Sequence, residues 1–176
     1  MKVSKLQNIL NHFETKFKPE HKDVLLEDCR NAKSLERAIE LAALCKDSYG
    51  KKHPHQYRLK HTTLEEVATK LLQKKKAISK AQTFDELYKC IKETPVKGFG
   101  DLTKYDVALR IGHYRDLFPT KVYLHAGTRI GAENLLGKIK KDSLEILEFP
   151  EAFRKLNLSA ELIEDILCIY KDRMKS

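Results

Sequence analysis

Proline and glycine are scarce, at 5 and 7 of 176 residues. That scarcity excludes a collagen repeat and a low-complexity chain. Long apolar runs are missing too, and none approaches the roughly 18 residues of a membrane span. The first residues, MKVSKLQNILNHFETKFK, carry charge throughout and hold no apolar stretch of the secretory type. The expectation is a cytoplasmic protein with no membrane partner. Cys29, Cys45, Cys90 and Cys168 are scattered. They form no C-x-x-C pair and no cluster spaced for zinc or an iron–sulfur centre. They read as four buried free thiols, and no cofactor is expected. Sustained apolar–polar alternation, the mark of a half-buried strand, is also lacking.

Positive charge is in excess. Lys and Arg number 34 against 25 Asp and Glu, for a formal net charge of +9. Residues 1–49 are nearly balanced, with nine basic and eight acidic side chains. Residues 50–141 carry 20 basic and nine acidic, and residues 142–176 carry five and eight. A localised basic excess is the footprint of a polyanionic partner. No strongly apolar face accompanies it, which argues against a membrane surface.

Helical periodicity runs through almost the whole chain. Leu6, Ile9, Leu10, Phe13 and Phe17 form one apolar stripe. Pro19 stands where a second helix can begin and run through Val24, Leu25 and Leu26. Ser34 caps a third that Gly50 ends. After a polar loop, residues 50–62, Thr62 or Thr63 caps a helix by its spacing to Glu65 or Glu66. Thr83 caps TFDELYKCIKET, which Pro95 stops. A short turn leads into LTKYDVALRIGH. Val122–Leu124 reads as briefly extended, and residues 128–136 as a helix capped by Thr128 and stopped by Gly137. Pro150 opens a short helix, and Ser159 caps the last one, which ends near Lys171. Glu164 and Asp165 fall on its exposed side. The fold class expected is all-α.

The segment with most to say is TFDELYKCIKETPVKGFGDLTKYDVALRIG, two helices joined by a turn that holds Gly98-Phe99-Gly100. Glycine lets a backbone adopt crowded or left-handed conformations and approach a ligand closely. The second helix begins near Leu102, so its first amides and its positive dipole end face whatever lies beyond the turn. A phosphate there meets backbone amides, with Lys97 and Lys104 adding charge. Such contacts carry no base-sequence information. Phe99 is expected to point inward and lock the two helices together.

Val96-Lys97-Gly98-Phe99-Gly100-Asp101-Leu102-Thr103 resembles the helix-hairpin-helix DNA-binding motif, whose turn reads apolar-x-Gly-apolar-Gly. The order that follows, Leu117-Phe118-Pro119-Thr120-Lys121-Val122-Tyr123-Leu124 and then a helix containing Arg129, is similar to the helix-hairpin-helix DNA glycosylase superfamily. The resemblance covers about residues 84–137. It implies two helical lobes with DNA between them and base flipping before N-glycosidic cleavage. On that pattern residues 1–176 form one all-α domain. A lobe of 1–80 plus 142–176 packs on a hairpin lobe of 81–141. Two departures bear on activity. Leu102 stands where bifunctional members place a nucleophilic Lys, which argues against a Schiff-base lyase reaction. The family aspartate is expected near Lys121, and no carboxylate occurs between residues 117 and 132.

Two further clusters are polar. His53, His55, Gln56, Tyr57 and Arg58 combine basic and aromatic groups suited to phosphate contact or base stacking. His53 and His55 can both reach one metal, but no further ligand pair is evident from spacing, so no metal is assigned. YLHAGTR sets His125, Thr128 and Arg129 beside Gly127. It reads either as a helix start or as an anion site in which His125 is an acid or base.

The leading expectation is therefore a DNA-binding protein of glycosylase-like fold that lacks the usual catalytic Lys and Asp. Gly98 to Thr103 clamp phosphates, Lys97, Lys104, Lys121 and Arg129 supply attraction, and residues 53–58 line the facing lobe. A second reading is a divergent DNA glycosylase or other nucleic-acid-processing enzyme that uses His125 or Asp106. Asp106 also stands four residues before Arg110, in position to fix it. A third is a protein-interaction module with an acidic partner.

Overall fold

Leu6, Ile9 and Leu10 share one face of α1 (Val3–His12), and buried Phe13 carries that face into the wider turn Phe13–Phe17. The computed structural model describes residues 3–17 and 23–175. The helix start expected at Pro19 lies outside them. The chain divides into two compact units, Asp23–Phe118 and a discontinuous one that joins Met1–Lys22 to Pro119–Ser176. These boundaries differ from lobes divided at residues 80/81 and 141/142. The hairpin helices pack among residues 24–80, while residues 119–141 pack with the C-terminal segment.

The 23–118 unit holds α2 (Val24–Arg30), α3 (Leu35–Leu44), α4 (His61–Gln73), α5 (Lys75–Lys80), α6 (Phe84–Lys92) and α7 (Asp101–Arg115). Asp23, Ser34 and Thr83 cap α2, α3 and α6 by accepting from the amides of Leu26, Arg37 and Glu86. The expected stop at Gly50 is not the one observed. α3 ends at Leu44 because Cys45 turns left-handed, with φ +54, and its amide bonds the Leu41 carbonyl. Nor does Thr62 or Thr63 cap α4. That helix starts at His61, its first turn closed by the Leu64 amide on the Lys60 carbonyl. α7 is buried almost continuously from Tyr105 to Gly112. A helix covered on nearly all sides is the axis of its unit, and α2, α3 and α6 all pack on it. Tyr105 sits edge-on to both Phe84 and Tyr88 of α6.

The discontinuous unit continues with β1 (Lys121–Tyr123), α8 (Ala126–Leu136), β2 (Ser143–Glu145), α9 (Glu151–Lys155) and α10 (Ala160–Ile169). The expected extended stretch is thus β1, which pairs antiparallel with β2 through Val122 opposite Leu144. This small sheet does not alter a mostly helical fold. α1 contributes Ile9, Leu10 and Phe13 to a core shared with Val122, Phe153, Ile163 and Leu167. Thr128 does not cap α8. The helix begins two residues earlier, where the His125 carbonyl accepts from the Thr128 and Arg129 amides. Ser159 caps α10 by accepting from the Leu162 amide. Glu164, expected on the exposed side of α10, is buried.

α8 and α10 touch through glycine. A Cβ on Gly131 would stand 2.1 Å from the Leu167 carbonyl oxygen, and one on Gly127 2.6 Å from the Cys168 sulfur. The first obstacle is backbone, so the helices themselves would have to part. Alanine gains about 1 kcal/mol in helix propensity over glycine, whereas overpacking costs about 1–3 kcal/mol or more. The clash prevails, and Gly131→Ala is expected to lower Tm in a thermal melt by several degrees.

The cysteines are also sorted by the fold. Cys29 and Cys45 are buried, but Cys90 and Cys168 are only half-buried, which corrects the expectation of four buried thiols. Burial pushes the Cys29 thiol up to about 12 and Cys45 to about 11, against the opposing Arg110 charge. Since the thiolate is the reactive form, a disulfide reagent at pH 8 is expected to leave both unlabelled until denaturant is added.

Candidate nucleic-acid interface and histidine–aspartate cluster

The turn between α6 and α7 is built from two short bonds. The Phe99 amide donates to the Val96 carbonyl at 3.1 Å, and the Gly100 amide to the Gly98 carbonyl at 3.1 Å. Gly98 takes φ +89, which an L side chain rarely adopts. Phe99 is buried, as expected, and the Lys104 ammonium lies 5.8 Å from its ring centroid. Gly100 is the N-cap of α7, and no side chain caps that end. The amides of Asp101, Leu102 and Thr103 have no acceptor within the helix. Lys97, Gly98 and Gly100 are exposed, Leu102 and Lys104 half-buried, and Thr103 buried.

The polar loop lies on α7 of this same unit, at Asp106. Thr63, in the first turn of α4, lies nearest Gly98, with its methyl 3.7 Å from where a Cβ would stand. Just before it, residues 54–56 make one 3-10 turn started by Pro54. Lys51, Lys52, Pro54, His55, Tyr57 and Arg58 line an open depression of ≈ 660 Å³. Tyr57 is 78% exposed, and Arg58 and Lys51 are exposed beside it. Lys52 is held, its ammonium donating to the Leu59 carbonyl at 2.8 Å.

Beneath this loop the chain buries charge. Gln56 is fully buried, Arg110 is 2% exposed and Asp106 8%. The Gln56 side-chain amide donates to Asp106 Oδ2 at 2.6 Å, and its carbonyl oxygen accepts from Arg110 Nη2 at 3.1 Å. Arg110 Nη1 donates to Cys45 Sγ at 3.4 Å. His55 Nδ1 lies 2.9 Å from Asp106 Oδ2. Burial alone would push the Asp106 carboxyl up, but the His55 hydrogen bond and the Arg110 charge outweigh it and hold it below the usual range. An ionised carboxylate only accepts, so His55 Nδ1 is the donor. His53 packs edge-on against the His55 ring, 4.9 Å between centroids. Its Nδ1 accepts from the His55 amide at 3.4 Å, and its Nε2 stands 3.6 Å from Asp23 Oδ2. Burial, then the Arg110 charge, pushes the His53 imidazole down, against the pull of Asp23.

Among the described residues, His53, His55 and Asp106 form a group able to hold a metal ion, with one ligand atom of each within 4.8 Å of the others. The histidine pair was legible in the sequence, and its third member was not. Asp106 is 51 positions from His55, and its expected link to Arg110 runs through Gln56. A sequence signal existed: Asp106 and Arg110 interrupt an otherwise apolar face, Tyr105-Val107-Ala108-Ile111, where charge needs a buried partner.

His125 and Asp106 belong to different units. The partner of His125 that spacing could not supply is Glu164, with Nε2 3.2 Å from Oε1 and both side chains largely buried. Arg129 holds the segment after α8, donating to the Lys141 carbonyl and to Asp142 Oδ1, each at 3.2 Å. Thr128 is buried, and the Lys121 ammonium lies 5.5 Å from the Tyr123 ring centroid.

No family model, no curated protein and no solved structure matches this chain.

Gln56 is the joint between loop and helix. Gln56→Ala removes one hydrogen bond to a buried carboxylate and one from a buried guanidinium, each worth about 1.5–3 kcal/mol. Urea denaturation is expected to show a loss of at least about 2 kcal/mol, larger than for His55→Ala, whose side chain is 46% exposed.

Proposed function

We propose that the protein binds nucleic acid, and DNA by its resemblance to the helix-hairpin-helix family, through the α6–α7 turn and the loop of residues 51–58. The observation that supports this most is their common placement in one unit. An uncapped helix N-terminus behind Gly98-Phe99-Gly100 lies near a depression lined by Lys51, Lys52, His55, Tyr57 and Arg58. Backbone amides suit phosphate oxygens. Exposed Tyr57 offers a face on which a base can stack. Lys97 and Lys104 add charge at the turn, against Asp101 in the first turn of α7.

In this reading one strand's phosphates approach the amides after Gly100, and an unstacked base or the sugar-phosphate chain occupies the loop depression. Recognition is then of shape and backbone rather than sequence. Residues 121–129 are not required, since Arg129 is tied to the Lys141 carbonyl and Asp142 of its own unit and Thr128 is buried there. Leu102 supplies no nucleophile, and Asp106 is committed to His55 and Gln56. The reading is accordingly of a binder, without strand scission.

The two glycines separate folding from binding. A side chain at Gly98 is strained by its φ of +89, whereas a Cβ on Gly100 meets nothing within 4 Å. Gly100→Val is therefore expected to keep the fold by circular dichroism and to obstruct the approach of a phosphate. Fluorescence anisotropy with duplex, single-stranded and abasic-site DNA is the measurement. Wild type is expected to weaken about tenfold or more between 50 and 200 mM salt, the response for two or three phosphate contacts. Gly100→Val is expected to lose about tenfold in affinity at low salt, roughly one charge-assisted contact. Equal binding by wild type and the variant, or a flat salt response, overturns the proposal.

A further inference from the structure

We infer that His53, His55 and Asp106 form a binding site for one divalent transition-metal ion of the zinc class, open on the side of the 51–58 depression. The inference goes beyond nucleic-acid binding and does not depend on it. All three residues lie in the 23–118 unit, and their ligand atoms already fall within 4.8 Å of one another.

The donor set selects the metal. Two imidazole nitrogens and one carboxylate oxygen suit Zn²⁺ or Co²⁺, whereas Mg²⁺ and Ca²⁺ favour oxygen alone. Zinc–nitrogen and zinc–oxygen bonds of about 2.0–2.2 Å place tetrahedral ligand atoms about 3.3 Å apart. The His55 Nδ1 to Asp106 Oδ2 separation of 2.9 Å is close to that edge. The remaining edges must contract by at most about 1.5 Å, within the reach of χ rotation in His53, which sits on a loop. Asp106 Oδ2 also accepts from the Gln56 side-chain amide at 2.6 Å, the kind of outer contact that orients a metal-ligating carboxylate. Metal entry moves one proton: a neutral His55 carries its hydrogen on Nε2 instead of Nδ1, an imidazolium releases the Nδ1 hydrogen to solvent, and in either case the Nδ1 lone pair then faces the ion together with Asp106 Oδ2.

Charge decides whether the ion is tolerated. Arg110 is the opposing cation, and it donates to Gln56 and Cys45. The carboxylates of Asp106 and Asp23 stand on either side of the histidine pair, at 2.9 Å from His55 and 3.6 Å from His53. Two carboxylates and one guanidinium thus stand beside the histidine pair, while Lys51, Lys52 and Arg58 line the depression onto which His55 opens. A three-ligand site keeps a position open. Because His55 also lines the depression, that position is suited to a phosphate oxygen or a water.

The test uses the full chain and Zn²⁺ alone, by isothermal titration calorimetry, with visible spectra of the Co²⁺ form as a second readout. The expected result is one ion per chain at micromolar affinity or tighter. His53→Ala and His55→Ala are each expected to weaken it by at least about tenfold, since even outer-contact changes cost about 10–100-fold. Both histidines are on a surface loop, so these variants are checked for folding by circular dichroism. Asp106→Asn is a third variant, expected to lose the Co²⁺ spectrum. Lys89→Ala, on the exposed side of α6, is expected to bind as wild type does. Absence of stoichiometric Zn²⁺ binding by wild type overturns the inference. So does binding that survives either histidine substitution within threefold. Neither result bears on DNA affinity, which is measured separately and without metal.

Discussion

The Asp106 carboxylate is the constraint on which the 23–118 unit turns. It lies on α7, the helix that the rest of the unit covers, and is 8% exposed. A carboxylate in that position must be paired and hydrogen-bonded or lose its charge. Gln56 and His55 satisfy it from a loop 50 residues away in sequence. The same bonds therefore set the position of residues 53–58, a segment with little apolar anchorage of its own. Arg110 completes the arrangement by binding the other end of Gln56. Loop placement and charge burial are one problem with one solution.

That solution explains why the basic rim stands where it does. Because Gln56 points inward, its neighbours His55, Tyr57 and Arg58 are carried outward. Thr63 follows within one turn of α4 and lies nearest Gly98. The loop is held on α7 through Asp106, and the start of α4 lies beside Gly98. The amides at the start of α7 and the cations of the loop belong to one unit. This is the arrangement that a phosphodiester, with charge along its length, is suited to meet.

Helices were legible because apolar period and cap chemistry agree at Ser34, Thr83 and Ser159. Capping failed as a guide at Thr62, Thr63 and Thr128, where another turn bond closes the helix first. The buried Phe99 followed from its place between two glycines. The site was legible in halves. His53 and His55 stand out as a pair, and Asp106 and Arg110 as an i, i+4 pair, but only the packing of α3 and α7 joins the halves. The unit boundaries were not legible, since similar amphipathic stripes on every helix do not say which stripe faces which. The His125–Glu164 pair was hidden for a related reason: Glu164 reads as solvent-facing until α8 and α10 approach through Gly127 and Gly131.

The last question is why the cluster is charged at all. A buried ion pair is weak support for stability, because an apolar set of similar volume often serves as well. Holding a loop on a helix would be achieved by leucine against leucine. Here Asp106 is kept ionised instead, and two imidazoles stand beside it, one of them 46% exposed. An anion beneath two imidazoles, on the wall of a cation-lined depression, has the form of a centre that receives something positive from solvent and presents it to something negative. The two proposals thus draw on different parts of one surface: the metal reading on Asp106 and its two imidazoles, and the phosphate reading on the cations of the rim.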